Sequence, residues 1–206
     1  MFLNKNNTMN WKKLAVAAAV SLAAVVIGFF GGDVFIQPWF RGFDWAVWRW
    51  FDILGEWKII AGAALVVFII ARVFKLKSQI QKLSANVFCS IILAEFAVGI
   101  IKVCVGRMRP VMFDALGQTG FNPFSFSDTW HSFPSGHAAA AFAALVSIGL
   151  VYPKIKPLTW TIAVSAGISR VCIGAHFPSD VIFAAFAGMA AADLIVYFRQ
   201  NLFTKR

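Results

Sequence analysis

Six apolar runs occupy most of this chain and limit what it can fold into. Leu14–Gly32 contains no charged residue and is long enough to cross a bilayer's hydrocarbon layer as a helix. Lys58–Phe74 carries charge only near its ends, at Lys58 and Arg72, where long side chains reach the interface. Leu83–Ile101 contains only Glu95, Ala138–Tyr152 stops at Pro153, Leu158–Ala175 contains Arg170, and Val181–Phe198 contains Asp193. With 60% of 206 residues hydrophobic and 14% charged, too little polar sequence remains to cover a soluble core built from six such runs. The pattern predicts an all-α, polytopic membrane protein with six transmembrane helices, forming one domain over residues 1–206. Lys12 and Lys13 ahead of an Ala-rich run also fit the start of a signal peptide. That run is longer than a usual signal core and no polar segment follows it, so it reads as an uncleaved first helix.

The formal net charge of +10 would suit a polyanion such as nucleic acid in a soluble protein. The placement of the charges argues for membrane orientation instead. Lys5, Lys12, Lys13, Arg72, Lys75, Lys77, Lys82, Lys154, Lys156, Arg199, Lys205 and Arg206 fall in alternate connections, which the positive-inside rule assigns to the cytoplasm together with both termini. Neither a nucleic-acid partner nor an obligatory protein partner is expected. The first outer connection, Asp33–Trp57, is rich in Trp and Phe. Its residues Ile36, Phe40, Phe43, Val47, Trp50 and Leu54 recur at helical spacing, which predicts an amphipathic helix lying in the interface.

Polar groups are expensive in such a chain, so their positions are informative. Lys102, Arg107 and Arg109 follow the third run, His137 opens the fourth, Arg170 and His176 close the fifth, and Asp180 opens the sixth. In an alternating bundle all these helix ends lie on the outer side. Fixed cations there can stabilise the charge on a transferring phosphoryl group. The arginine fork matches two phosphate oxygens, while lysine acts as a point charge. Ser135 and Gly136 place backbone amides at a helix start, which is itself an anion site. One imidazole can attack phosphorus and the other can serve the leaving group. Asp180, four residues after His176, is placed to hold the far ring nitrogen.

These residues form three spaced motifs. Lys102 is followed after six residues by Arg109 and Pro110; Pro134, Ser135, Gly136 and His137 form the second; Ser169 and Arg170, then His176, then Asp180 form the third. The sequence resembles the type 2 phosphatidic acid phosphatase (PAP2) superfamily at every specified position of that signature. The resemblance implies that Lys102, Arg109, Arg170, Ser135 and Gly136 bind phosphate. It implies that His176 is the nucleophile that becomes a phosphohistidine, that Asp180 orients it, and that His137 is the general acid and base. It further implies an enzyme with no metal and no other cofactor, and the sequence offers no outer carboxylate cluster that would hold a metal. Arg107 and His131 lie beside the motifs; Arg107 reads as a headgroup or substrate contact, and His131 as a loop residue with substrate contact as the alternative.

An outer site at headgroup depth favours a lipid phosphate as substrate. The connection Val111–Phe133 carries Phe113, Phe121, Phe124, Phe126, Trp130 and Phe133, which suits a bilayer better than a soluble sugar phosphate. The stretch from Arg107 through Phe121–Phe124 to Ser132 and Phe133 looks like bacterial lipid A phosphatases of this superfamily. That likeness implies an inner-membrane location, a periplasmic site and lipid A attacked at its 1- or 4′-phosphate. Undecaprenyl diphosphate, phosphatidylglycerophosphate and phosphotransfer to a second lipid remain competing readings, while the intact His137, His176 and Asp180 argue against a non-enzymatic carrier or scaffold. Glu95 shares a helical face with Lys102 and reads as a structural carboxyl, and Asp193 lies near enough to the inner end to meet Arg199 or water. Cys104 and Cys172 read as small buried residues, with a bridge between them as the alternative.

Overall fold

The computed structural model describes residues 1–4, 8–41, 48 and 55–203. Among them the chain is helical, with two isolated β-bridges, Leu3 to Met9 and Arg107 to Phe121. Helix α1 (Trp11–Ile27) starts at Asn10, whose side chain accepts the Lys13 N–H at 3.0 Å. A π turn, Gly28–Gly32, follows, and Gly31 at φ 110° turns the chain into α2 (Asp33–Arg41). Helices α3 (Trp57–Val73) and α4 (Ser78–Val105) pack against each other, and α4 ends on Gly106 in the left-handed conformation. The short α5 (Pro110–Leu116) begins with its proline in the first turn. Helices α6 (Gly136–Val151), α7 (Lys156–Cys172) and α8 (Pro178–Phe203) complete the bundle.

Every apolar run read from the sequence lies largely within a helix. Among the described residues, three segments are long and apolar enough to cross a membrane: Trp11–Phe40, Ser78–Val105 and Pro178–Asn201. Helices α3, α6 and α7 are shorter, at 17, 16 and 17 residues. Large apolar side chains such as Val20, Ile27, Ile59, Ile69 and Phe96 point outward. Such a surface is stable where the surrounding solvent is hydrocarbon, and the chain is a membrane protein.

Helix α6 is the axis of the bundle, packed against α4, α7 and α8. Ala138 to Ala144 are all buried, and this small-residue face lets neighbouring backbones come close. At Gly188 of α8 a side chain would strike the Ala139 carbonyl. At Gly28, likewise, a side chain would collide with Asp33 and Ser179, so the end of α1 lies directly on the start of α8. Asp193, fully buried in α8, meets neither Arg199 nor solvent. Its carboxylate takes the Met1 amino group at 3.0 Å and the Phe2 N–H, with the Phe2 ring buried beside Phe186.

Of the interfacial helix expected between Asp33 and Trp57, the part described is α2. Its polar Asp33 and Gln37 are buried, with Gln37 donating to the Val171 carbonyl at 3.2 Å, while Phe35, Ile36 and Trp39 face outward. Phe43, Val47, Trp50 and Leu54 lie outside the described residues.

Candidate active site

Helix α7 ends two residues after Arg170, itself buried, and Gly174 at φ 73° turns the chain back toward α8. In that turn the N–H groups of Ala175 and His176 both donate to the Arg170 carbonyl, at 3.0 and 3.1 Å. The His176 ring is buried, with Nδ1 2.6 Å from the Ser132 carbonyl. A backbone carbonyl can only accept, so Nδ1 carries the proton and Nε2 presents a bare lone pair. Burial pushes the His176 imidazole down to about 3; Asp180 opposes this, while the charges of Lys102 and Arg170 act in the same direction as burial.

Asp180 does not hold the ring directly. Its Oδ2 lies 3.7 Å from His176 Nδ1, too far for a hydrogen bond. That oxygen instead accepts from the Ser132 hydroxyl at 2.6 Å and the Phe177 N–H at 2.9 Å. The orienting contact expected from the spacing is thus relayed through Ser132, which takes the imidazole proton on its carbonyl and gives its own hydroxyl proton to Asp180.

Ser135 caps α6, its hydroxyl accepting from the Ala138 N–H at 3.4 Å. Its own N–H donates to the Asp180 carbonyl at 3.2 Å, which fastens the start of α6 to the start of α8. The next two residues, Gly136 and His137, present the first amides of the helix at this end of the bundle. His137 is half-buried, with Nε2 3.4 Å from Glu56 Oε2 at the start of α3. Gly55 lies so close beneath His137 that a side chain there would have no room. Glu95 lies under Gly136 rather than beside Lys102 in an ion pair: a side chain on that glycine would come within 3.1 Å of the Glu95 carboxylate.

Lys102, in the last turn of α4, donates through Nζ to the His131 carbonyl at 2.8 Å. Arg109 donates through Nε to the Asp128 carbonyl at 2.7 Å and lies 3.5 Å from the Ala175 carbonyl through Nη1. Both cations are therefore fixed by backbone oxygens of the connecting loops at this end of the bundle. Such partners orient a cation without neutralising its charge. Cys89, Cys104 and Cys172 are free thiols, and Cys104 is exposed while Cys172 is buried. Among the described residues no group of three His, Cys, Asp or Glu side chains is placed to hold a metal ion.

The two residues beside the motifs, Arg107 and His131, both face groups of the protein. Arg107 is buried and turned inward, with ion pairs to Asp33 at 2.8 Å and to Asp180, and a hydrogen bond to the Ser179 hydroxyl at 3.0 Å. Its guanidinium lies between the rings of Phe29 and Phe177, at 4.4 and 4.2 Å from their centres. Both of its terminal nitrogens are engaged inside the protein and the residue is 4% exposed, so it faces protein carboxylates rather than the surface. The His131 ring points Nε2 at the Ser125 carbonyl at 2.8 Å, which secures the loop whose backbone holds Lys102.

Sequence reasoning missed Asp33, Glu56, Ser132 and Ser179. Asp33 is the clearest case: it accepts from Arg107, from the Ser179 hydroxyl and, at 3.0 Å, from the Ser179 N–H. The available signal was a carboxylate placed directly after Gly31 and Gly32, at the break between α1 and α2.

The arrangement defines a class: a membrane-embedded helical protein whose bundle end holds fixed cations beside two imidazoles. Residues 83–204 match the family model of the PAP2 superfamily, and the chain belongs to that superfamily. It is 34% identical over 125 residues to a lipid A 1-phosphatase of Rhizobium etli, covering 60% of this chain and 54% of that one. It is 32% identical over 80 residues to phosphatidylglycerophosphatase B of Escherichia coli, covering 36% of this chain and 32% of the relative. The chain spans about half the length of the two Rhizobium lipid A 1-phosphatases it matches. A solved structure of a PAP2-type phosphatidylglycerolphosphate phosphatase from Bacillus subtilis has the same fold, with a TM-score of 0.71. That likeness covers 94% of this chain and 99% of the other at 19% identity.

Proposed function

We propose that this protein is a lipid phosphate phosphatase working through a phosphohistidine. The observation that carries the reading is the His176 ring, whose Nδ1 is committed to the Ser132 carbonyl so that Nε2 is free to attack. In the first step the Nε2 lone pair forms an N–P bond while the P–O bond to the lipid breaks. His137 gives its proton to the departing oxygen. In the second step His137 takes a proton from water, the hydroxide attacks phosphorus, and the N–P bond breaks to release inorganic phosphate. Lys102, Arg109, Arg170, Ser135 and the Gly136 amide stabilise the equatorial oxygens in both steps. Asp180 acts on His176 through Ser132.

Lipid A, at its 1- or 4′-phosphate, is the favoured substrate, supported by the similarity to lipid A 1-phosphatases. The partial similarity to phosphatidylglycerophosphatase B keeps phosphatidylglycerophosphate as a second reading, with undecaprenyl diphosphate and lipid-to-lipid transfer behind it. The topology that goes with this function has six spans, α2 in the interface, both termini in the cytoplasm, and the site facing the periplasm from the inner membrane. It is supported by the excess of Lys and Arg in alternate connections.

The test is phosphate release by the purified protein from lipid A, phosphatidylglycerophosphate, undecaprenyl diphosphate and phosphatidic acid. Lipid A is expected to turn over fastest, and His176→Ala to abolish release while retaining the fold. Wild-type turnover by that variant would remove the nucleophile assignment. Transfer of phosphate to an added lipid without release would identify a phosphotransferase.

A further inference from the structure

At the end of the bundle opposite the candidate active site, α3, α4, α6 and α8 line an open cavity of about 910 Å3. Its rim carries Arg72, Lys82 and Arg199, and no carboxylate is among its lining residues. Its walls include Phe68, Leu150 and Val196. Arg199 is fixed on the rim by donating to the Lys82 carbonyl at 2.8 Å. Gln81 pins the α3–α4 turn below Arg72 by donating to the carbonyls of Ala71 and Leu76, at 3.1 and 2.9 Å.

The lining also includes Asn86, which is 1% exposed and whose Nδ2 and Oδ1 both lack a hydrogen-bond partner. A buried amide in a low-dielectric setting loses stability unless something satisfies it. Arg72, Lys82 and Arg199 line the same cavity as this amide.

We propose that this cavity binds one anionic glycerophospholipid from the leaflet opposite the active site. The headgroup phosphate lies among Arg72, Lys82 and Arg199, a headgroup hydroxyl and a phosphate oxygen satisfy the Asn86 amide, and the apolar walls take the glycerol and upper acyl carbons. The apolar walls favour a lipid over free phosphate, because free phosphate leaves them facing water. The site is independent of the proposed catalytic reading, since none of its residues belongs to the three motifs.

Native mass spectrometry of the protein in an uncharged detergent tests this with phosphatidylglycerol, phosphatidylcholine of the same chains, and inorganic phosphate. One phosphatidylglycerol is expected to be retained at a concentration about tenfold lower than phosphatidylcholine, the scale of one or two well-placed cations at an anionic headgroup. Lys82→Gln with Arg199→Gln is expected to bring the two lipids to parity. Lys82→Gln alone, a change at an exposed side chain, is expected to reduce the preference in part and guards against misfolding of the double variant. Equal retention of both lipids, or a preference unchanged in the variants, overturns the proposal. Displacement of the lipid by inorganic phosphate at equal concentration overturns the lipid occupant in favour of a free anion.

Discussion

Arg107 and Asp33 stand 74 positions apart in the chain and meet in a buried ion pair at 2.8 Å. The same guanidinium pairs with Asp180, so a residue from the first helical segment and one from the last share a single cation. Removing one member of a buried pair leaves an uncompensated charge, which costs about 3–5 kcal/mol. Arg107→Met is therefore expected to lower thermal stability in detergent strongly and to reduce turnover, because two carboxylates lose their partner. Asp33→Asn keeps the shape and one acceptor, and is expected to lower stability less and leave KM unchanged. An Arg107→Met protein as stable and active as the wild type would remove the bridge from the account.

The pH dependence of stability has a definite sign. His176 titrates near 6.5 in the unfolded chain, and burial holds it at about 3 in the fold. The unfolded chain therefore binds the proton first on acidification. Stability from the neutral ring is complete above about 6.5 and is lost as pH falls from there toward 3. Thermal unfolding of wild type and His176→Gln across that window checks this, with a flatter profile expected for the variant. The His176 ring stays unprotonated throughout ordinary assay conditions, so if it is the nucleophile the acid limb of kcat/KM should belong to another group.

Glu56 faces His137 across 3.4 Å from a different helix. If His137 is the general acid and base, His137→Ala should lower kcat by about 10²–10⁴-fold. Glu56→Gln, which keeps the size and removes the charge, is expected to move the pH profile of kcat/KM with a smaller loss of kcat. A profile superimposable on wild type would show that Glu56 is a packing residue only.

The cations provide the sharpest contrast with metal-dependent phosphoryl transfer. Lys102→Ala, Arg109→Ala and Arg170→Ala are each expected to lower turnover by about 10²–10³-fold, as the loss of one transition-state contact does. Chelator should leave wild-type turnover unchanged. Loss of activity on chelation, restored by a divalent cation, would overturn the metal-free mechanism.

The grouping of the candidate site was legible in the sequence because alternation alone brings the ends of α4 and α7 and the starts of α6 and α8 to one end. Its internal wiring was not. His176 and Asp180 are four residues apart, but α8 begins at Pro178, so His176 precedes the helix and helical spacing does not bring the pair together. Arg107 follows the same helix end as Lys102 and Arg109, and nothing local distinguishes a cation facing a headgroup from one facing a carboxylate. Its inward direction depends on Asp33, which the bend at Gly31 and the close packing at Gly28 carry to the start of α8. The Met1 and Phe2 contacts of Asp193 are equally non-local.

The segment matching the family model begins at residue 83, yet Asp33 and Glu56 reach this end of the bundle from outside it. A fragment cut at that boundary would keep every motif residue while removing Asp33, one of the two carboxylates that pair with Arg107, and Glu56, the carboxylate facing His137. Grafting the motif-bearing half onto foreign leading helices would need Asp33 and Arg107 to travel together. The leading helices thus supply carboxylates to the candidate site, and modular swaps must treat them as such.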